Sequence, residues 1–268
     1  MRSSGGELGG AWNFRDVAEE TGIRPGRFFR SSELSGLDDG GRKALSSFGI
    51  SDVADLRSDR EVERRGAGQV PDGVVIHRLP FQELAKPGAG APHEDAFEKM
   101  VIQKSDDEDV ADAAARFMTD EYLRFPGLPG AKLAVRQVIS LLADERPVIA
   151  HCFAGKDRTG FTVATVLEAV GVDRDTILAD FLRSNDAVPR LRVSILASLR
   201  NRTAAVSTDE IFTFAEARLN EEVLGVREEY LDAAWQTIEA DYGSPAGYLD
   251  AIGVTSGQVD RLRSNLIG

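Results

Sequence analysis

Apolar residues return every three or four positions in DVADAAARFMTDEYLRF (109–125) and AKLAVRQVISLLADE (131–145), the spacing that lines one side of a helix. Shorter runs rich in β-branched and aromatic residues, RFFRSSE (27–33), SDVADLRS (51–58), VVIHRLPF (74–81) and PVIAHC (147–152), predict strands. Between the first two lies LDDGGRKALSSFGI (37–50), where Asp38 is placed to cap a short helix and Gly49 to end it. After PVIAHC, the stretch RTGFTVATVLEAVG (158–171) is apolar on nearly every side and stops at glycine, which predicts a helix buried against a sheet. The last hundred residues predict further helices, one of them opened by Ser244 as cap and Pro245 in the first turn. Strands alternating with helices predict an α/β architecture with a mainly parallel sheet flanked by helices, a fold that gathers ligands at the C-terminal ends of its strands.

The whole chain, 1–268, is expected to form one domain. Residues 86–109 combine Gly/Pro punctuation with a concentrated acidic run and predict a mobile surface insertion. In the C-terminal block, roughly 204–241, Phe212, Phe214, Leu219, Leu224, Leu231, Trp235 and Ile238 supply apolar faces to two helices that either pack in the core or cover a site.

Composition narrows the function. A formal net charge of -12 opposes general attraction to nucleic acid or an anionic membrane, so an anionic substrate needs a local positive site. The arginines of LRSDREVERRG (Arg57, Arg60, Arg64 and Arg65) can contribute to one, although such a run is ordinarily a solvated helix face. No run approaches the roughly 20 apolar residues that cross a bilayer, and the opening MRSSGGELGGAWNF has no apolar segment of a cleavable signal. A cytoplasmic location, or export without a cleavable leader, is therefore expected. With one cysteine, no disulfide forms within the chain and the thiol is left for chemistry.

That cysteine, Cys152, stands where a predicted strand gives way to a loop and a helix: HCFAGKDRTG, 151–160. A loop closing on a helix N-terminus turns backbone N–H groups inward, and the helix dipole adds positive potential. Arg158 brings a planar fork matched to two phosphate oxygens. The same field favours the thiolate, the nucleophilic form of cysteine, so displacement at phosphorus through a phosphocysteine follows, then hydrolysis by water. The backbone from Phe153 through Ala154, Gly155 and Lys156 would cradle the phosphoryl group, with Thr159 and Gly160 closing the loop onto the helix. Thr159 can donate its hydroxyl to the sulfur as it leaves. His151 is expected to order the loop backbone. A nucleotide-binding phosphate loop is excluded, because that pattern needs Gly at Ala150 and Ser or Thr at Asp157.

HCFAGKDRTG resembles the H-C-x5-R-[S/T]-G signature of the cysteine-based protein tyrosine phosphatases. NFRDV (13–17), RPGRFFRSSELSGLDD (24–39), DVADLRSDREVERRG (52–66), FLRSNDAVP (181–189) and GVREEYL (225–231) further resemble segments of the PtpB-type bacterial phosphatases, over almost the whole chain. The resemblance implies a tyrosine-phosphatase-like fold, phosphocysteine chemistry at Cys152 with Arg158 as clamp, and no cofactor or metal. It implies phosphoprotein and phosphoinositide substrates: phosphotyrosine, phosphoserine/threonine and inositide monoesters, with Lys156 supplying charge for a multiply phosphorylated ring. It places a mobile lid at 204–241, and, since the branch includes secreted virulence enzymes, it implies an exported effector. The proton donor to the leaving group is Asp157 or, in LPFQEL, Glu83; the chain has no W-P-D tripeptide. A catalytically weak phosphoinositide- or phosphoprotein-binding module is the alternative. His77 and His93 have no metal-ligand spacing around them. Asn13, Arg15 and Asp16 are expected to hold the N-terminal segment against the phosphate loop. Oligomeric state has no sequence signal.

Overall fold

Five short strands form one sheet in the computed structural model, which describes residues 8–81, 110–203 and 219–267. They are β1 (Arg15–Asp16), β2 (Phe28–Ser31), β3 (Asp52–Asp55), β4 (Val75–Arg78) and β5 (Val148–His151), in the order β1-β2-β5-β3-β4. Only the edge pair β1/β2 is antiparallel; the others run parallel, as the alternation of strands and helices predicts. β5 is central, with Ala150 in register with Arg30 on one side and Ala54 on the other. Its side chains alternate between layers: Val148 and Ala150 join the larger core, and Ile149 packs with Phe29 and Val53 in a second.

The second core is closed by α2 (Asp39–Ser47), whose Leu45 is fully buried. Asp38 caps this helix by accepting from the Gly41 amide at 2.7 Å, and Gly49 turns the chain out of it at φ 70°. The larger core is built by α4 (Val110–Arg124), α5 (Pro129–Ala143) and α6 (Asp157–Val170), preceded in the chain by α1 (Ala18–Thr21) and α3 (Asp59–Arg65). α6 is buried along nearly its whole length and ends at Gly171, φ 90°. The C-terminal block adds α7 (Arg174–Leu182), α8 (Val188–Thr203), α9 (Glu221–Leu224), α10 (Glu228–Tyr242), α11 (Pro245–Ala251) and α12 (Ser256–Leu266). Ser244 caps α11 through the Gly247 amide, with Pro245 at its first position.

The candidate insertion at 86–109, residues 204–218 of the candidate lid, Phe212, Phe214, Glu83 and His93 lie outside the described residues. The remainder of the 204–241 stretch is described. Tyr230, Leu231, Trp235 and Ile238 of α10 enter the main core against α4. Trp235 is 4% exposed, so Trp235→Ala should lower the unfolding free energy by about 3–5 kcal/mol in urea titration. A loss below about 1 kcal/mol would mean that α10 contributes little to the core.

Candidate active site

Because β5 pairs on both edges, the residue after it is held by the middle of the sheet. That residue is Cys152, a free thiol only 2% exposed. The loop that follows passes so close to the end of β2 that a Cβ at Gly155 would lie 2.1 Å from the Ser31 carbonyl oxygen. Gly155 also has φ 67°, so glycine is required there on two counts.

The loop's carbonyl groups are engaged on its outer side. Phe153 O accepts from the Glu33 amide at 3.0 Å. Asn13 Nδ2 donates to Ala154 O and Gly155 O at 3.0 and 3.1 Å, and Arg30 Nη2 donates to Gly155 O at 2.8 Å. The amides of Phe153, Ala154, Gly155 and Lys156 donate to no described residue. They precede α6, whose first turn brings more N–H groups and the positive end of the helix dipole. These amides are thus left free of acceptors among the described residues, which is what an anion cradle requires.

Arg158 stands at the start of α6, two residues into the helix. Its Nη1 and Nη2 each lie 2.7 Å from one oxygen of Glu61, a bidentate pair that fixes the plane of the guanidinium. Glu61 is itself buried and also accepts from the Ser58 amide and hydroxyl, closing the capping box at the start of α3. Sequence reasoning missed Glu61, although Ser58-x-x-Glu61 is a visible cap signature.

Asp157 is the first residue of α6. Its Oδ1 accepts from Lys156 Nζ at 2.9 Å and from the Tyr122 hydroxyl at 3.3 Å. Burial raises the Tyr122 pKa well above the usual phenol value, and the negative charge of Asp157 pushes it further, so Tyr122 keeps its proton and donates. Tyr122 is a second residue that the sequence does not flag. Thr159 Oγ1 is buried with no partner among the described residues, so its hydroxyl is not committed elsewhere. Gly160 lets α6 approach α7, since a Cβ there would lie 2.7 Å from the Phe181 ring.

The arginine run is only in part the solvated helix face that its charge suggests. Arg57 is fully buried, bound to both oxygens of Asp55 and to Glu33 Oε2. Arg65 lies 3.8 Å over the Phe153 ring and pairs with the other oxygen of Glu33, so it meets the edge of the phosphate loop. Arg64 is exposed. The physical reason is the backbone: Arg57 precedes α3 and points into the end of the sheet, where Asp55 awaits a cation. Burial alone would raise the Asp55 pKa, but the charge of His151, protonated in the acid range where Asp55 titrates, and then Arg57 and Arg78 outweigh it and hold it at about 2. Desolvation lowers the His151 pKa despite Asp55 nearby, so His151 is neutral at pH 7. His151 Nδ1 lies 3.2 Å from Cys152 O, consistent with ordering of the backbone.

Asn13 reaches the loop directly and Arg15 only through Asn13 and Asp180, whereas Asp16 does not; its oxygens accept from the Ala18 and Gly26 amides and shape a local turn. His77 pairs with Asp52 at the opposite end of the sheet, away from the loop. No group of three His, Cys, Asp or Glu side chains suited to a metal occurs among the described residues.

Comparison with known proteins agrees with this geometry. A model of the tyrosine phosphatase family matches residues 7–268. The chain is 55% identical over 272 residues to the triple specificity protein phosphatase PtpB of Mycobacterium tuberculosis, covering 98% of this chain and 99% of the relative. It is 25% identical over 250 residues to a tyrosine-protein phosphatase of Nostoc commune, covering 92% of this chain and 76% of that one. A buried thiol below an open amide face, followed by an arginine, on a chain matched from end to end, leads to one conclusion: the chain belongs to the tyrosine phosphatase family.

Proposed function

We propose that this tyrosine phosphatase hydrolyses phosphotyrosine and also phosphoserine, phosphothreonine and phosphoinositide monoesters through a phosphocysteine at Cys152. The observation that carries the proposal is the loop itself: a single thiol at its start, amides of Phe153 to Lys156 without acceptors among the described residues, and the carbonyls of Phe153, Ala154 and Gly155 engaged by Glu33, Asn13 and Arg30. The triple-specificity name of the M. tuberculosis relative supports more than one substrate class.

In the first step the Cys152 thiolate forms an S–P bond as the ester P–O bond breaks, and Asp157 passes a proton to the departing oxygen. In the second, water attacks phosphorus, Asp157 takes its proton, and the S–P bond breaks to return the thiolate. Arg158 and the loop amides bind the equatorial oxygens in both steps. Asp157 Oδ1 is occupied by Lys156 and Tyr122, so Oδ2 is the oxygen that would carry the transferred proton. Glu83 is the second candidate acid. Thr159 Oγ1, unpartnered, would donate to the sulfur as it leaves. Lys156, beside the cradle, would contact a further phosphate of an inositol ring. Support for a lid within 204–241, for export and for a role in virulence comes from the resemblance alone. Among the described residues no helix is long and apolar enough to cross a membrane.

The test is rapid acid quench with p-nitrophenyl phosphate, a phosphotyrosine peptide and an inositide. A phenol burst equal to enzyme, with phosphate trapped on Cys152, is expected. In the same panel Asp157→Asn should lower kcat on alkyl phosphates by about 10²–10⁴-fold and on p-nitrophenyl phosphate far less, because a good leaving group needs little proton help. Lys156→Ala should lose roughly tenfold on inositides, the equivalent of one charged contact. Equal losses on all leaving groups would remove Asp157 from the acid role, and no trapped phosphate would remove the intermediate.

A further inference from the structure

Behind the phosphate loop sits a buried polar bracket that the two chemical steps leave without a task. Arg30, on β2, is fully buried; its Nη1 pairs with Asp180 Oδ2 at 2.5 Å while its Nη2 donates to Gly155 O at 2.8 Å and reaches Lys156 O at 3.4 Å. Arg15 holds the other oxygen of Asp180 at 2.7 Å, and its Nη1 donates to Asn13 Oδ1 at 2.6 Å. That bond fixes the Asn13 amide so that Nδ2 faces Ala154 O and Gly155 O. Burial raises the Asp180 pKa, but Arg30 and then Arg15 outweigh it and hold it below the usual carboxylate range.

Two features argue against a purely cohesive role. Arg30 Nε is buried with no partner among the described residues, and Asn13 adopts a left-handed φ of 54°. Both are unfavourable features that an apolar filling of the same space would avoid, and buried ion clusters are seldom needed for stability. What the bracket does have is aim. A trans peptide points its C=O and the next N–H in opposite directions, so a carbonyl drawn outward turns an amide inward.

We propose that Asn13 and Arg30 are positioning residues for the phosphoryl group, acting through the loop backbone. By holding the carbonyls of Ala154, Gly155 and Lys156 on the outer side, they turn the amides of Gly155, Lys156 and Asp157 into the cradle. Asp180 and Arg15 hold the two in place. The bracket carries two guanidinium groups against one carboxylate, so it also adds positive charge behind the anion site. The proposal rests on reading the loop as a phosphate cradle.

Asn13→Asp is the sharpest test, because it keeps size and the acceptor for Arg15 but sets a carboxylate oxygen against two carbonyls. Asn13→Gly, suited to the left-handed φ, removes the donor without adding charge. Arg30→Lys keeps the charge and loses the fork. Each is measured with wild type and Cys152→Ser for kcat and KM on p-nitrophenyl phosphate, competitive inhibition by inorganic phosphate and vanadate, active sites counted by stoichiometric labelling of Cys152, and urea unfolding. Per active site, Asn13→Asp and Arg30→Lys should lose about 10²-fold in kcat/KM, the scale of a small misplacement of catalytic groups, with phosphate inhibition weakened at least tenfold; Asn13→Gly should show the same shift in smaller degree. Phosphate inhibition within twofold of wild type in the folded variants would overturn the proposal. So would full activity per labelled site with only the folded fraction reduced, which is the result a merely structural role gives. If Arg30→Lys does not fold, the two Asn13 variants, altered at a half-buried position, decide. If the wild type releases no phosphate, or Cys152→Ser still does, the cradle reading falls and this proposal with it; an active wild type with unaltered Asn13 variants sinks the positioning role alone.

Discussion

Cys152→Ser removes turnover of phosphotyrosine peptides, by about 10⁴-fold or more, while leaving them bound. Serine matches cysteine in shape, but its hydroxyl keeps its proton at neutral pH and needs a base to become a nucleophile. None stands ready. His151 is neutral but directs Nδ1 to the Cys152 carbonyl, and its Nε2 lies deep, 3.7 Å from Asp55. Loss of a nucleophile in other enzymes with covalent intermediates reaches about 10⁶-fold. The amide face and Arg158 are untouched by the substitution, so calorimetry with a phosphopeptide should show binding retained. Turnover within about tenfold of wild type would exclude the cysteine from the reaction.

Glu61→Ala should both destabilise and inactivate the protein. The carboxylate is 2% exposed and holds a guanidinium that is 13% exposed, so removing it takes a bidentate, nearly buried partner from that cation, at a cost of about 3–5 kcal/mol. It also strips the capping box from α3, for about a further 1 kcal/mol. Glu61→Gln separates the two effects. Glutamine retains a carbonyl oxygen for Ser58 but cannot pair both nitrogens of Arg158, so unfolding should shift less while kcat/KM falls about 10²-fold through a misaimed Arg158. If Glu61→Gln matches wild type in kcat/KM and in phosphate inhibition, Arg158 does not depend on this partner for its orientation.

The parts of the site that are legible in the sequence are those made by neighbours in the chain. Cys152, Gly155, Lys156, Asp157 and Arg158 fall within one strand-loop-helix turn, and the structure keeps them together in that turn. Caps such as Asp38 and Ser244 act over three residues and are read as easily. What the sequence hides is the set of partners brought together by the sheet: Glu61 meets Arg158 across 97 positions, Tyr122 meets Asp157 across 35, and Asp180 meets Arg30 across 150. Nothing in the local pattern distinguishes these from surface charges or a core phenol. Arg57 shows the same limit in reverse, since its place in a charged run suggests solvent and only the packing of β3 against its neighbours explains why it is buried. The helices of the C-terminal block are legible from their period, but the allegiance of α10 to the core depends on which faces meet, and that is decided by α4.

The double pairing of β5 reaches beyond topology. Backbone held on both edges and covered on both faces belongs to the part of a protein that opens last, whereas peripheral helices fray and re-form at lower cost. The lone thiol thus follows directly on the segment expected to open last, and its position is tied to the most persistent stretch of backbone in the chain.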